Sequence, residues 1–153
     1  MISHHRGAWD TLGDPIATNI MTHGLQLYFH SLPPLSVVPP PQTLPSKCNL
    51  PAIRLLLPDL LSRGIIRKIT TPQPLFFSRL FVVINKDKSF RPILDLSILN
   101  KLLVIPSFKM ETVSKISVGI VDSLWGCTLD LTSAYFHVPM GWTFQKFLAF
   151  VVD

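Results

Sequence analysis

Apolar and polar positions along the chain fall into two periods. Ile53, Leu56, Leu57, Leu60 and Leu61 recur at helical spacing, the mark of a helix with one buried stripe. Asn49 stands at its N-cap, Pro51 lies in the first turn, and Gly64 follows as a C-cap. Pro58 inside this helix predicts a kink. Strand-length runs follow at Leu80–Ile84 and Arg91–Leu96, joined by Asn85-Lys86-Asp87-Lys88-Ser89, which reads as a hairpin with a basic tip. Pro92 fits a strand start or edge. Ser107 can cap a helix with Met110, Val113 and Ile116 or Ile120 inward. Cys127–Leu131 alternates, placing Cys127, Leu129 and Leu131 on one face and Thr128 and Asp130 on the other. Lys146–Val152 is a last strand candidate. Near the start, a weak helix is expected around Ile16–Met21 and a short strand at Leu25–Phe29.

Hairpin connections outnumber crossover units in this reading. The fold class is therefore α+β, with mainly antiparallel strands and packed helices. Residues 33–45 hold six prolines and read as an extended, semi-rigid connector. The organisation is a lead-in over 1–32, a proline-rich connector over 33–49 and a domain over 50–153.

Composition narrows the class. Hydrophobic residues make up 48% and charged residues only 15%, less charge than the quarter usual in a free-standing domain. The apolar excess suits a piece of a larger core. It also excludes disorder throughout. A membrane span is excluded by pattern: the longest stretch without Asp, Glu, Lys or Arg, Pro15–Ser46, contains seven prolines and cannot form a spanning helix. No basic-then-apolar leader opens the sequence, so the expectation is an intracellular protein of cytoplasm or nucleus, not a secreted one. Cys48 and Cys127 read as free, buried thiols.

The net charge is +5, and its distribution matters more than its size. Between Arg63 and Lys109 nine basic residues face only Asp87 and Asp95, a local excess of +7; the remainder carries five basic and seven acidic residues, −2. A basic middle fits a polyanion partner or a solvated basic face. Asp130 sits within an apolar strand candidate, where a charge is costly unless paired or bound to metal. It can cap the turn Thr132-Ser133-Ala134 or project as a metal ligand. Arg91 can fork onto a phosphate and Lys86 can supply a point charge, or the tip is simply an exposed basic turn.

Three segments together resemble a known family. Leu80–Leu96 with Leu99-Asn100-Lys101 resembles the fingers of retroelement reverse transcriptases: an apolar strand, a basic tip, Arg-Pro, Asp-Leu and Leu-Asn-Lys. Phe108-Lys109-Met110-Glu111-Thr112 is similar to the helix start that follows in LTR-type and DIRS-like retrotransposons. Leu129-Asp130-Leu131-Thr132-Ser133-Ala134-Tyr135-Phe136 resembles polymerase motif A, with Lys146–Phe150 as the strand after it. Trp9, Gly24, Leu25 and Ser31–Ser36 are more weakly similar to the DIRS-like lead-in.

The resemblance implies the fingers and partial palm of a right-hand polymerase. The parent activity is RNA-directed DNA polymerisation, with an RNA or DNA template-primer and deoxynucleotides as partners and Mg²⁺ as cofactor. It implies a catalytic, metal-binding Asp130, nucleotide contacts from Lys86, Arg91 and Tyr135, and nucleic-acid contacts from Lys88 and Lys101. The sequence departs from the family where Ser133 replaces a carboxylate, Asn85 replaces a tip lysine and Lys88 replaces a glycine. It also contains no Tyr-x-Asp-Asp turn, so the expectation is a truncated element inactive by itself. A non-catalytic nucleic-acid-binding remnant and an inert reading frame are the alternatives.

Overall fold

The computed structural model describes residues 6–107 and 130–152 and, between them, Thr112, Ser114, Ser117, Trp125, Cys127 and Thr128. Helices α1 (Arg6–Leu12) and α2 (Pro15–His23) open the chain. Asp14 caps α2: its Oδ1 accepts from the backbone N–H of Ile16 at 2.8 Å and of Ala17 at 3.2 Å. Pro15 occupies the first turn, where a missing N–H costs nothing.

Helix α3 (Leu50–Ser62) runs through Pro58 as one element. Asn49 precedes it as expected, but its side chain makes no cap bond to the helix; Nδ2 instead donates to Ser46 Oγ at 2.9 Å. The C-terminus closes as a Schellman turn. Ile65 N–H donates to the Leu60 carbonyl and Gly64 N–H to that of Leu61, both at 3.0 Å, with Gly64 at φ +65°. Of the expected stripe, Ile53 and Leu60 are buried, whereas Leu61 is exposed.

Strands β1 (Arg79–Ile84) and β2 (Phe90–Asp95) pair antiparallel in the order Arg79 opposite Asp95 through Ile84 opposite Phe90. This is the hairpin the alternation predicts. Leu80, Val82, Ile84, Phe90, Pro92 and Leu94 share one face, and α3 packs against both strands. Phe81, Val83, Arg91 and Ile93 share the other. Helix α4 (Ser97–Asn100) follows directly.

Among the described residues three expected strands are not formed, and Leu25–Phe29 makes only isolated bridges at its two ends, Leu25 with Met140 and Phe29 with Leu103. Cys127, Thr128, Asp130 and Leu131 are exposed and belong to no regular element; both cysteines are also exposed, not buried. Trp142–Phe147 is a 3₁₀ helix, and beyond it, among the described residues, only Ala149 makes a bridge, parallel to Phe77. Here Phe147 is drawn into the core, its ring 4.7 Å from that of Phe29, and i→i+3 bonds satisfy the backbone instead of a ladder. The helix expected after Ser107 lies outside the described residues.

The core is small. Phe76, Leu99 and Phe147 form its centre, with Leu27, Phe29, Leu96, Phe144 and Leu148 packed around them. Ile53 and Leu99 are each 1% exposed, and burial of such a side chain stabilises by about 2 kcal/mol. The lead-in belongs to this core. Leu25 N–H donates to the Pro139 carbonyl at 2.7 Å, and Gly141 N–H returns a bond to the Leu25 carbonyl at 3.0 Å. Further along, His30 N–H donates to Leu102 and Val104 N–H to Tyr28.

The lead-in enters at a glycine-to-glycine contact. Gly24 has φ +78° and ψ 164°, a region open only to glycine. A Cβ placed there would lie 2.4 Å from the Gly141 nitrogen. Gly13 also has a positive φ, +68°, but open space around it. Gly24→Ala is therefore expected to destabilise by about 3 kcal/mol, from strain plus overpacking, and Gly13→Ala by only about 1 kcal/mol. Urea unfolding of the two variants checks this; equal losses would show that the Gly24–Gly141 approach contributes nothing.

Candidate functional site

The basic tip is built by a three-residue turn. Asn85 N–H donates to the Ser89 carbonyl at 2.9 Å, and Lys88 N–H closes the turn on the Asn85 carbonyl at 3.0 Å. Lys88 takes φ +65°, the left-handed position that ends such a loop and favours glycine. Asp87 holds the turn from inside. Its Oδ1 accepts from Ser89 N–H at 2.9 Å and Ser89 Oγ at 2.6 Å. Those bonds, the hydroxyl first, hold its carboxyl below the usual range.

At the base of the ribbon Asp95 repeats the device. Its Oδ1 accepts from Ser97 N–H at 3.0 Å and from Ser97 Oγ. The Ser97 hydroxyl, then the Ser97 amide, lower its pKa, with the cross-strand Arg79 adding a smaller effect. Together the two carboxylates fix where the ribbon turns and where it passes into α4.

The expected site residues are distributed along this ribbon. Lys86 and Lys88 sit on the tip and Arg91 on the face shared with Phe81 and Ile93. Tyr135 lies in the 3₁₀ turn Ala134–His137. With Phe81, Ile93, Asp95, Ser97 and Asn100 it borders an open concavity of ≈ 690 Å³. The Tyr135 ring is 94% exposed there, so an aromatic surface is free to stack. Lys101 follows α4 at the opposite end of the ribbon from the tip, about 20 Å away for a six-residue strand. Its carbonyl lies 2.8 Å from His30 Nε2, which ties it to the lead-in.

Asp130 is not gathered into this site. It is exposed, and its carboxylate makes no hydrogen bond to a described residue. The turn at Thr132-Ser133 does form, with Ser133 at φ +56°, but it is closed by Phe136 N–H on the Ser133 carbonyl and by His137 beside the Thr132 carbonyl. Among the described residues no three His, Cys, Asp or Glu groups are placed to hold a metal ion. A two-cation centre needs several converging carboxylates. The described residues do not fit a magnesium pair.

Sequence reasoning missed the residues that border the concavity with Tyr135. Phe81 and Ile93 carried a signal, since the period of two that places Arg91 outward also places them on its face. Ser97 and Asn100 carried none, because α4 was not foreseen. Arg67 stacked 4.2 Å over the Trp142 ring was also unforeseen. No described helix is long and apolar enough to cross a membrane. Comparison with family models, with curated proteins and with solved structures finds no match to this chain.

Two outcomes are expected from the tip and base carboxylates. Both native pKa values lie below the unfolded value near 3.8. Their stabilisation is thus fully present above that pH and is lost as pH falls through the lowered native values. NMR titration of Ser89→Ala and Ser97→Ala should return Asp87 and Asp95, respectively, toward the ordinary carboxylate range; unmoved titrations would refute the hydroxyls as the cause. Lys88→Gly should stabilise the chain by about 0.5–1 kcal/mol through relief of the left-handed conformation, read as a raised urea midpoint at constant m.

Proposed function

We propose that the chain is the fingers and the start of the palm of a retrotransposon reverse transcriptase, and that its 153 residues bind nucleic acid without polymerising. The observation that carries the reading is the β1–β2 ribbon. A strand pair with lysines at its tip presents Arg91, Phe81 and Ile93 on one face, and the exposed Tyr135 borders an open concavity together with Phe81 and Ile93. The resemblance of Leu80–Lys101 and Leu129–Phe136 to the family's fingers and motif A supplies the rest.

In this reading the tip lysines and Arg91 contact phosphate, and the Tyr135 ring meets the nucleotide. Arg91 is suited to a forked contact and the lysines to point-charge contacts. Asp130 keeps the role that motif A implies only within an intact parent enzyme. Asp130, exposed and grouped with no other carboxylate among the described residues, favours binding over catalysis in this reading.

Fluorescence anisotropy with a single-stranded RNA, across about 50–200 mM salt, tests the reading. Each phosphate contact contributes about 0.7 to the salt slope on a single strand. Lys86→Ala with Arg91→Ala should therefore flatten the slope by about 1.4. Tyr135→Ala should weaken binding by about 1–3 kcal/mol if the ring stacks on a base, without changing stability, since the ring is exposed. Primer extension with Mg²⁺ and deoxynucleotides should be absent. Extension that disappears in Asp130→Asn would reverse the non-catalytic part, and an unchanged slope in the double variant would remove the phosphate roles.

A further inference from the structure

Two distant stretches of the chain meet at a stacked pair. The turn at Gly64 closes α3, and Arg67 follows three residues later. Trp142 opens the 3₁₀ helix Trp142–Phe147. The Arg67 guanidinium carbon lies 4.2 Å from the centroid of the Trp142 ring, the distance of a cation–π stack. Just before the ring, Gly141 N–H donates to the Leu25 carbonyl at 3.0 Å, and a Cβ on Gly141 would lie 3.1 Å from the His23 carbonyl oxygen. That close packing fixes the backbone from which the ring starts.

Despite the stack, Trp142 is 70% exposed. The guanidinium covers one face of the indole, so the other is open to solvent. Arg67 is exposed too, and among the described residues no carboxylate pairs with it. Charge around the pair has one sign. Between Asp59 and Asp87 the sequence holds no acidic residue and five basic ones, Arg63, Arg67, Lys68, Arg79 and Lys86. Between Asp130 and Asp153 it holds Lys146 and again no acid. Lys68 is exposed beside Arg67, and Lys146 stands about 8 Å along the 3₁₀ axis from Trp142. The ring orients the guanidinium without neutralising it, which leaves the N–H fork for an anion. A peptide carboxylate would satisfy the fork and leave the open indole face unused. A phosphate with an unstacked base uses both.

We propose that Arg67 and Trp142 form a second contact for single-stranded nucleic acid. A base stacks on the open indole face, and Arg67 with Lys68 meets the neighbouring phosphates. This inference rests on the nucleic-acid reading above and deepens it. The contact is separate from the ribbon: neither residue borders the concavity at Tyr135. The 3₁₀ helix joins the chain through the Lys146 carbonyl at Phe76, three residues before β1 and at the end of the ribbon away from its tip.

Trp142 emission reads the contact, in the full chain carrying Trp9→Phe and Trp125→Phe. The probe is an adenine single strand of about twelve nucleotides. It should quench the emission saturably, whereas an abasic strand of equal length, with the same phosphates, should leave it unchanged. By anisotropy Trp142→Ala should weaken binding about 5- to 150-fold, and Trp142→Phe should restore most of it. Arg67→Gln should flatten the salt slope by about 0.7. These losses should persist when Lys86→Ala and Arg91→Ala have removed the ribbon contacts. The emission comparison leaves Trp142 in place, so it decides the question even where Trp142→Ala unfolds. Equal quenching by the abasic strand or by polyglutamate would overturn the stacked base and leave a general polyanion patch. Binding that needs the ribbon but ignores Trp142→Ala would overturn this inference alone; no binding by any probe would overturn it together with the ribbon reading.

Discussion

Between Leu25 and Ser36 the extended backbone exchanges hydrogen bonds with three other stretches in turn. It pairs at Leu25 with 139–141, at Phe29 with Leu103 and at Ser36 with Leu75. Each is a short bridge, not a ladder. Their joint effect is to hold the 3₁₀ helix Trp142–Phe147, the turn after α4 and the approach to β1 around one core. Leu27 and Phe29 enter that core from the same segment. The buried hydrophobic residues among those described are few, so these bonds and the Gly24–Gly141 approach carry much of the specificity of the fold.

The ribbon depends on this arrangement in turn. Its base is anchored where Asp95 holds Ser97 and where Leu99 is buried. Its tip is free of the core and is ordered by local bonds from Asp87 and Asn85. Contacts at the polar, basic tip are thereby separated from the packing beneath.

Elements with a strong local period were legible in the sequence. The stripe Ile53–Leu60 and the alternation from Leu80 to Leu94 each bury one face against the other, so pattern and packing agree. Cys127–Leu131 alternates equally well, yet a strand also needs a partner, and periodicity says nothing about pairing. Lys146–Val152 is apolar enough for a strand, but Phe147 packs on Phe29 more than a hundred positions away, a contact no local window contains. Of the site, the tip was legible because its residues are adjacent in sequence. That Tyr135 borders the same open concavity as Phe81 and Ile93 was not, because residues so far apart in sequence are brought to one concavity only by the tertiary fold.

The bond pair between Leu25 and the 139–141 turn also sets an order of events during synthesis. About 115 residues separate Leu25 from Gly141, and at the usual rate of translation they take roughly 6–23 s to be made. For that interval the extended lead-in has no partner at its first bridge, while α3 and the hairpin, whose contacts are local, can already form. Closure of the core is therefore a late, high-contact-order step, and the proline content of 33–45 keeps the waiting segment extended and poor in competing backbone donors.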